Sequence, residues 1–293
     1  MEIVSEKNLS YEQRGYLNSD FKLFHLDDDK QIDIPWHYHD FDKIVFFING
    51  QIDYYVEGRQ YTLKNYDIVA VPHNSIHKLY ADGKKNYERY ILYIKPSVFD
   101  KYEKALGRQV QGLKKCFDMV SEKKTYLIHF DGIITSKLLN DLKKLEEDIK
   151  DAQNDTFGDV RTNLDVITLL ADFNDYLDKN PIAFMEKARY NRKVIDIIDY
   201  ISENLQKDLS IDRIADKFYI SKYHMMRMFK AETGYSIHQY IMEKRILKAK
   251  DLIVSGTSAM TASIEVGFND YSSFCKAFQK QIGKLPSEYS EKK

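Results

Sequence analysis

From residue 32 to about residue 94 the apolar positions come in short runs rich in Val, Ile, Tyr and Phe, separated by turn residues. The runs 44–48, 52–56, 61–63, 68–71 and 90–94 are short enough for strands. Asn49-Gly50 predicts a hairpin between the first two, because both residues tolerate positive φ. Glu57-Gly58-Arg59 and Lys64-Asn65 predict the next turns. Many short strands with such turns point to a small antiparallel barrel or jelly roll. Residues 1–30 are polar and charged with short apolar patches such as 21–24, and predict one or two strands after a loosely held start.

Beyond residue 96 the period changes from two to between three and four. Residues 97–106 predict a short helix, and Leu138, Leu142, Leu145 and Ile149 form a stripe on a second. A polar break over 151–158 precedes a helix over 161–178, with Leu164, Ile167, Leu170, Ala171 and Tyr176. These stripes either pack on their own barrel or form a contact between two copies. Asn180-Pro181 ends the region, and an amphipathic helix over 191–205 follows, through Val194, Ile197, Ile198 and Ile201. The predicted layout is a barrel over 1–100, a helical segment over 101–180, a linker over 181–190 and an all-α domain over 191–293.

That last domain contains one unit twice. In the first, Ser210 can cap a short helix with Ile211, Ile214, Ala215 and Phe218 on one face. After a tight turn, Ser221 can cap a second helix, whose inner face is Met225, Met228 and Phe229. Its outer face is Lys222, Tyr223, Met226, Arg227 and Lys230. Two short helices joined by such a turn form a helix-turn-helix. The second unit repeats this over 258–280, with a turn at Gly267-Phe268-Asn269-Asp270. Its second helix has Phe274 and Phe278 inside and Tyr271, Ser272, Ser273, Lys276 and Lys280 outside. Aligning Phe229 with Phe278 places Ser221 on Asp270 and Arg227 on Lys276. A long helix over 236–254 joins the units; at 1.5 Å per residue it is roughly 27 Å long, suited to holding two recognition helices about one DNA turn, ~34 Å, apart.

Residues 188–290 resemble the DNA-binding domain of the AraC/XylS family of bacterial transcription regulators. The likeness rests on Ile214-Ala215, Ser221, Arg227, Phe229-Lys230 and Gly234 in the first unit, and on Tyr240, Arg245, Ala249 and Leu252 in the joining helix. It continues through Gly267-Phe268, Ser273-Phe274, Phe278, Gly283, Pro286 and Tyr289. Tyr219 departs from the pattern at a turn where glycine is common, and Ala262-Ser263 replaces the usual Ile-Ala pair. Base edges would be read by Tyr223, Met226 and Arg227 of the first unit and by Ser272, Ser273 and Lys276 of the second, with Lys222 either reading or anchoring.

The stretches around PWHYHDFDKIVFFINGQ and YDIVAVPHNSIHKL resemble the cupin fold that precedes this domain in many family members. His37 and His39 match its HxH, Gly50 its closing glycine, and Asp67, Pro72 and His77 its second motif. Metal cupins add a glutamate four residues after the second histidine; here that position is Lys43, and Asp42 would face the other way along a strand. An ammonium is a poor neighbour for a divalent ion, so no metal or other cofactor is expected. The histidines then either close the barrel mouth or bind a polar ligand. Trp36, His37, His39, Lys43, Tyr54, His77 and Tyr90 are the candidate lining of an effector site, whose aromatic and polar character suits a small polar molecule such as a carbohydrate.

Charge separates the two halves. The chain has 293 residues, enough for two domains, and a net charge of −1. From residue 186 onward there are 19 Lys and Arg against 14 Asp and Glu, which leaves 25 against 31 for the rest. A basic module fused to an acidic one fits phosphate contact by the second alone. Cys116 and Cys275 lie in different predicted domains, which argues against a disulfide framework and for a reducing cytoplasm. No apolar run reaches the ~20 residues of a membrane helix. The resemblance implies double-stranded promoter or operator DNA, RNA polymerase and a second copy of the chain as partners. The alternative is a metal-dependent cupin enzyme with an accessory helical domain; no nucleophile elbow, phosphate loop or CxxC pair offers other chemistry.

Overall fold

Strand alternation builds the first half of the molecule. In β4 (Ile52–Val56) the side chains of Ile52, Tyr54 and Val56 are buried and their neighbours half out, and β7 (His77–Ala81) buries His77, Leu79 and Ala81 in the same way. The computed structural model describes residues 17, 19–107, 112–152 and 156–290, and the chain divides into two units, Met1–Arg189 and Tyr190–Lys293. The expected loose start therefore lies mostly outside the described residues. β1 (Phe21–Asp28), β8 (Tyr87–Ile94), β3 (Asp42–Asn49), β6 (Asp67–Val71) and β9 (Leu127–His129) form one antiparallel sheet in that order. β2 (Ile32–His37), β7, β4 and β5 (Arg59–Leu63) form a second. The inner faces of both supply one apolar core, with Val45, Phe47 and Val69 from the first and Tyr54, Val56 and Leu79 from the second. This is a cupin-like arrangement of two sheets, and they do not close into a barrel among the described residues.

The turn chemistry corrects one expectation. Asn49-Gly50 is not a hairpin: β3 and β4 lie in different sheets, and the chain crosses from one to the other at this point. Gly50, at φ +117°, is needed for close approach, since a Cβ there would stand 2.5 Å from Tyr87 Cβ and 2.6 Å from the Asn86 carbonyl oxygen. Lys64-Asn65 makes a similar crossing from β5 to β6, where the Asp67 carboxylate accepts from the Lys64 amide at 2.7 Å. Glu57-Gly58 is the true hairpin, between β4 and β5, with positive φ at both residues (47° and 76°) as a type I′ turn requires. The buried Glu57 carboxylate accepts from the Ile76 amide at 2.8 Å, tying this turn to the start of β7.

Among the described residues, four helices follow β8: α1 (Pro96–Leu106), α2 (Lys115–Lys123), α3 (Gly132–Asp151) and α4 (Gly158–Lys179). Leu138, Leu142 and Leu145 of α3 are buried as the stripe predicts. The buried face of α4 is Val166, Leu169, Leu170, Phe173 and Leu177, whereas Leu164 is exposed. The region is also not purely helical, because β9 extends the first sheet beside β6. Residues Pro181–Ala183 form a 3₁₀ turn, Phe184 bridges to Ile128, and Arg189 and Gln60 exchange two backbone hydrogen bonds of 2.8 Å.

The second unit is all helix: α5 (Arg192–Glu203), α6 (Ile211–Lys217), α7 (Lys222–Thr233), α8 (Ile237–Val254), α9 (Ala259–Glu265), α10 (Tyr271–Ile282) and α11 (Pro286–Ser290). Val194, Ile197, Ile198 and Ile201 of α5 are buried. α8 starts in a capping box between Ser236 and Gln239. Midway along it, Arg245 donates to the carbonyls of Leu205 (2.9 Å) and Lys207 (2.8 Å). Gly267 packs against this clamp, where a Cβ would stand 2.6 Å from the Leu205 oxygen and 2.9 Å from the Arg245 guanidinium. Ser210 precedes α6 with N-cap backbone geometry, but its hydroxyl makes no capping bond.

Tyr219 holds the left-handed turn conformation in which glycine is common, at φ 51°, with its side chain 98 % exposed. A non-glycine residue there costs about 1–2 kcal/mol, and glycine's greater unfolded-state freedom costs about 0.5–1. Tyr219→Gly is therefore expected to raise stability by about 0.5–1 kcal/mol in urea unfolding. A destabilised variant would show that the ring makes contacts its exposure hides.

Candidate functional site

Two helices in the second unit share one design. Ser221 caps α7 by accepting from the His224 amide, and the Asp270 carboxylate caps α10 by accepting from the Ser273 amide at 2.6 Å. Met225 and Phe229 bury the inner face of α7, with Met228 half-buried beside them; Phe274 and Phe278 do the same for α10. On α7 the side chains of Lys222, Tyr223, Met226, Arg227 and Lys230 are exposed, as are Ser272, Ser273, Lys276 and Lys280 on α10. Ser221 is engaged as a cap, and Lys222 pairs with Asp212 at 3.1 Å. Tyr271 is half-buried beside this outer face, with its ring 5.9 Å from that of Phe274. Arg227 and Lys230 form no hydrogen bond or ion pair among the described residues. A free guanidinium on an exposed helix face can place two donors on one guanine edge.

In the first unit, five of the seven expected effector-site residues converge between the sheets. A bulge between Ile34 and His37 shifts the phase of β2, so that His37 pairs with His77 and faces inward. The ring centroids of His37 lie 4.7 Å from His39 and 4.2 Å from His77, and Tyr54 stacks on His77 at 6.1 Å. Lys43 enters from β3, its Nζ 5.6 Å from the Tyr54 ring and 5.7 Å from the Tyr93 ring. Tyr93 is a member that the sequence pattern missed: it follows from the register that pairs it with Lys43, which no local pattern encodes.

Trp36 and Tyr90 are not in this cluster. The same bulge turns Trp36 to the other face of its sheet, against Tyr55 at 5.7 Å. Tyr90 is an odd number of residues from Tyr93 and so faces the helices, stacking on His25 at 4.1 Å and donating its hydroxyl to Glu146 at 2.8 Å. Asp42 also points away from the cluster, accepting from the His73 amide at 2.8 Å and lying 2.9 Å from its Nδ1.

Electrostatics sharpen the picture. Nδ1 of His37 donates to the Pro35 carbonyl at 2.7 Å and Nδ1 of His77 to that of Ser75 at 2.9 Å, so Nε2 of each neutral ring carries a lone pair. Burial, reinforced by Lys43, pushes His37 down to about 4 and holds His39 and His77 well below the usual histidine range. Burial, with Arg89 nearby, lowers the Lys43 ammonium to about 7. Burial pushes the Tyr54 and Tyr93 hydroxyls up. His77 Nε2 and the Tyr54 hydroxyl are buried without a partner. The three imidazoles offer ligand atoms within 4.8 Å of one another. Lys43 stands beside these imidazoles and the Asp42 carboxylate points away, so neither supplies the negative charge that would offset a divalent ion there.

Comparison with known proteins agrees with both halves. Residues 23–123 match the family model of an AraC-like ligand binding domain, and residues 214–292 that of a helix-turn-helix domain. Multiple antibiotic resistance protein MarA of Escherichia coli (strain K12) is 31% identical over 94 residues, 32% of this chain and 74% of that protein. The chain belongs to the AraC/XylS family. The probable transcriptional regulator LumQ of Photobacterium leiognathi is 28% identical over 114 residues, 39% of this chain and under half (46%) of that protein. Apo ToxT K231A from Vibrio cholerae strain SCE256 aligns over 93% of this chain and 97% of its own, at 17% identity and TM-score 0.39. This AraC/XylS-family chain thus carries a ligand-binding domain ahead of a DNA-binding one. No helix of its described residues is long and apolar enough to cross a membrane.

Proposed function

We propose that this protein is a cytoplasmic transcription regulator that reads promoter or operator DNA through α7 and α10 and is controlled by a small polar effector held between the two sheets. The observation that carries the reading is the pair of capped helices with exposed Arg227, Lys230, Lys276 and Lys280, joined by chain to a buried polar cluster. In this reading residues 1–100 hold the effector, 101–180 carry a contact between two copies, and 191–293 read DNA and engage RNA polymerase. The start of α4 supports the dimer, because Phe157, Val160 and Leu164 form an exposed apolar stripe at helical spacing. Hydroxyl-rich ligands such as sugars suit a site lined by imidazoles and tyrosines.

The purified protein is expected to bind its own upstream DNA at sub-micromolar Kd in the presence of excess competitor, at two salt concentrations. Binding that competitor abolishes, with or without candidate effectors, would sink the reading. The converging imidazoles favour a second reading, a metal-dependent cupin enzyme, against which Lys43 stands. Stoichiometric metal in the purified protein, together with failure to bind DNA, would favour that alternative.

A further inference from the structure

The cluster is matched to a more specific chemistry than a neutral sugar. Lys43 is 7% exposed and has no carboxylate or hydrogen-bond partner among the described residues, only the faces of Tyr54 and Tyr93. An ammonium buried in this way lacks its counter-ion. Around it stand acceptors: Nε2 of His77 is buried and unpartnered, and Nε2 of His37 carries a lone pair because its Nδ1 donates to Pro35. The Tyr54 hydroxyl, also unpartnered, can donate or accept. A carboxylate alone would satisfy Lys43 and be repelled by the imidazole lone pairs. A neutral sugar would satisfy the imidazoles and leave the ammonium unpaired.

We propose that the site binds a small hydroxycarboxylic acid, its carboxylate on Lys43 and its hydroxyls donating to His37 and His77. This rests on the effector-site reading above and narrows its ligand to a sugar acid or shorter hydroxy acid. His37 is half-exposed while His39 and His77 are buried, so the ligand enters on the His37 side. Groups facing Lys43 are Tyr93 and Arg89 from β8, Tyr54 from β4, His77 from β7, His37 from β2 and His39 from the β2–β3 connection. Burial holds these imidazoles below and these phenols above their ordinary ranges, whereas Lys43 changes charge at about 7.

The test is calorimetric titration of the full-length protein with lactate, tartrate, gluconate and galacturonate, beside butyrate, galactose and zinc chloride. At least one hydroxy acid is expected to bind roughly 10- to 100-fold tighter than both butyrate and galactose, the effect of one charge-assisted hydrogen bond. Its affinity should fall about tenfold per pH unit above 7. Lys43→Met should erase the preference for the acid, and Tyr90→Phe, on the other face of the sheet, should leave it intact. If galactose binds as tightly as galacturonate and Lys43→Met changes neither, the acid proposal fails while the effector-site reading stands. If no hydroxy acid or sugar binds at millimolar concentration, both fail, and one zinc ion per chain would identify the cluster as a metal site.

Discussion

Lys43→Met is expected to stabilise the first unit while removing its response to an acidic effector. The ammonium is held at about 7 against an ordinary 10.5, and each tenfold loss of proton affinity corresponds to about 1.4 kcal/mol. Burying the charge therefore costs on the order of 3–5 kcal/mol below pH 7, where both folded and unfolded chains hold the proton. Methionine has similar length and no charge, so it can occupy the space between Tyr54 and Tyr93 at small packing cost. The sign follows from proton counting. Between about 7 and 10.5 the unfolded chain binds more protons than the folded one, so the native protein gains stability as pH rises. The advantage of the variant should be greatest at pH 6 and nearly gone by pH 10. Urea unfolding at those two pH values reads it directly. An unchanged or reduced stability at pH 6 would mean that Lys43 is compensated, and the case for a missing anion would weaken with it. A cost of this size is what a ligand-binding site carries when part of its electrostatics is completed by the ligand.

The second unit was legible in the sequence because its signals are local. Caps at Ser221 and Asp270, apolar spacing through Met225 and Phe229, and a repeat after about fifty residues all lie within short windows. The first unit was legible in kind but not in connection. Asn49-Gly50 carries a hairpin's residues, yet the chain crosses between sheets there, because strand partners are chosen by core packing across distant segments. The same limit explains the histidine–lysine cluster. His37, His39 and Lys43 were visible by spacing, but Trp36 was lost to a bulge that a pattern of period two cannot register. Tyr93 entered only through its pairing with Lys43 across β3 and β8. β9 is three residues long, too short to show a period at all.

Arg227→Ala is expected to weaken operator binding roughly 10- to 100-fold and to relax base preference at one position, whereas Lys276→Ala should weaken binding to all sequences more evenly. Both side chains are exposed on the second helix of their units, at positions the repeat aligns. Their surroundings differ. α7 is capped by a neutral hydroxyl, so the positive end of its dipole stays available to phosphate. α10 is capped by the Asp270 carboxylate, which offsets that end and also attracts Lys276. Lys276 is thus a point charge shared with a neighbouring anion, while Arg227 is a free planar fork with two parallel donors. The salt dependence should separate the two roles, because loss of a phosphate contact lowers the slope of log K against log salt by about one. Titrations of both variants on single-base operator variants, at two salt concentrations, decide the matter. If Lys276→Ala changes base preference more than Arg227→Ala, the second unit carries the specificity and the difference between the caps does not govern it.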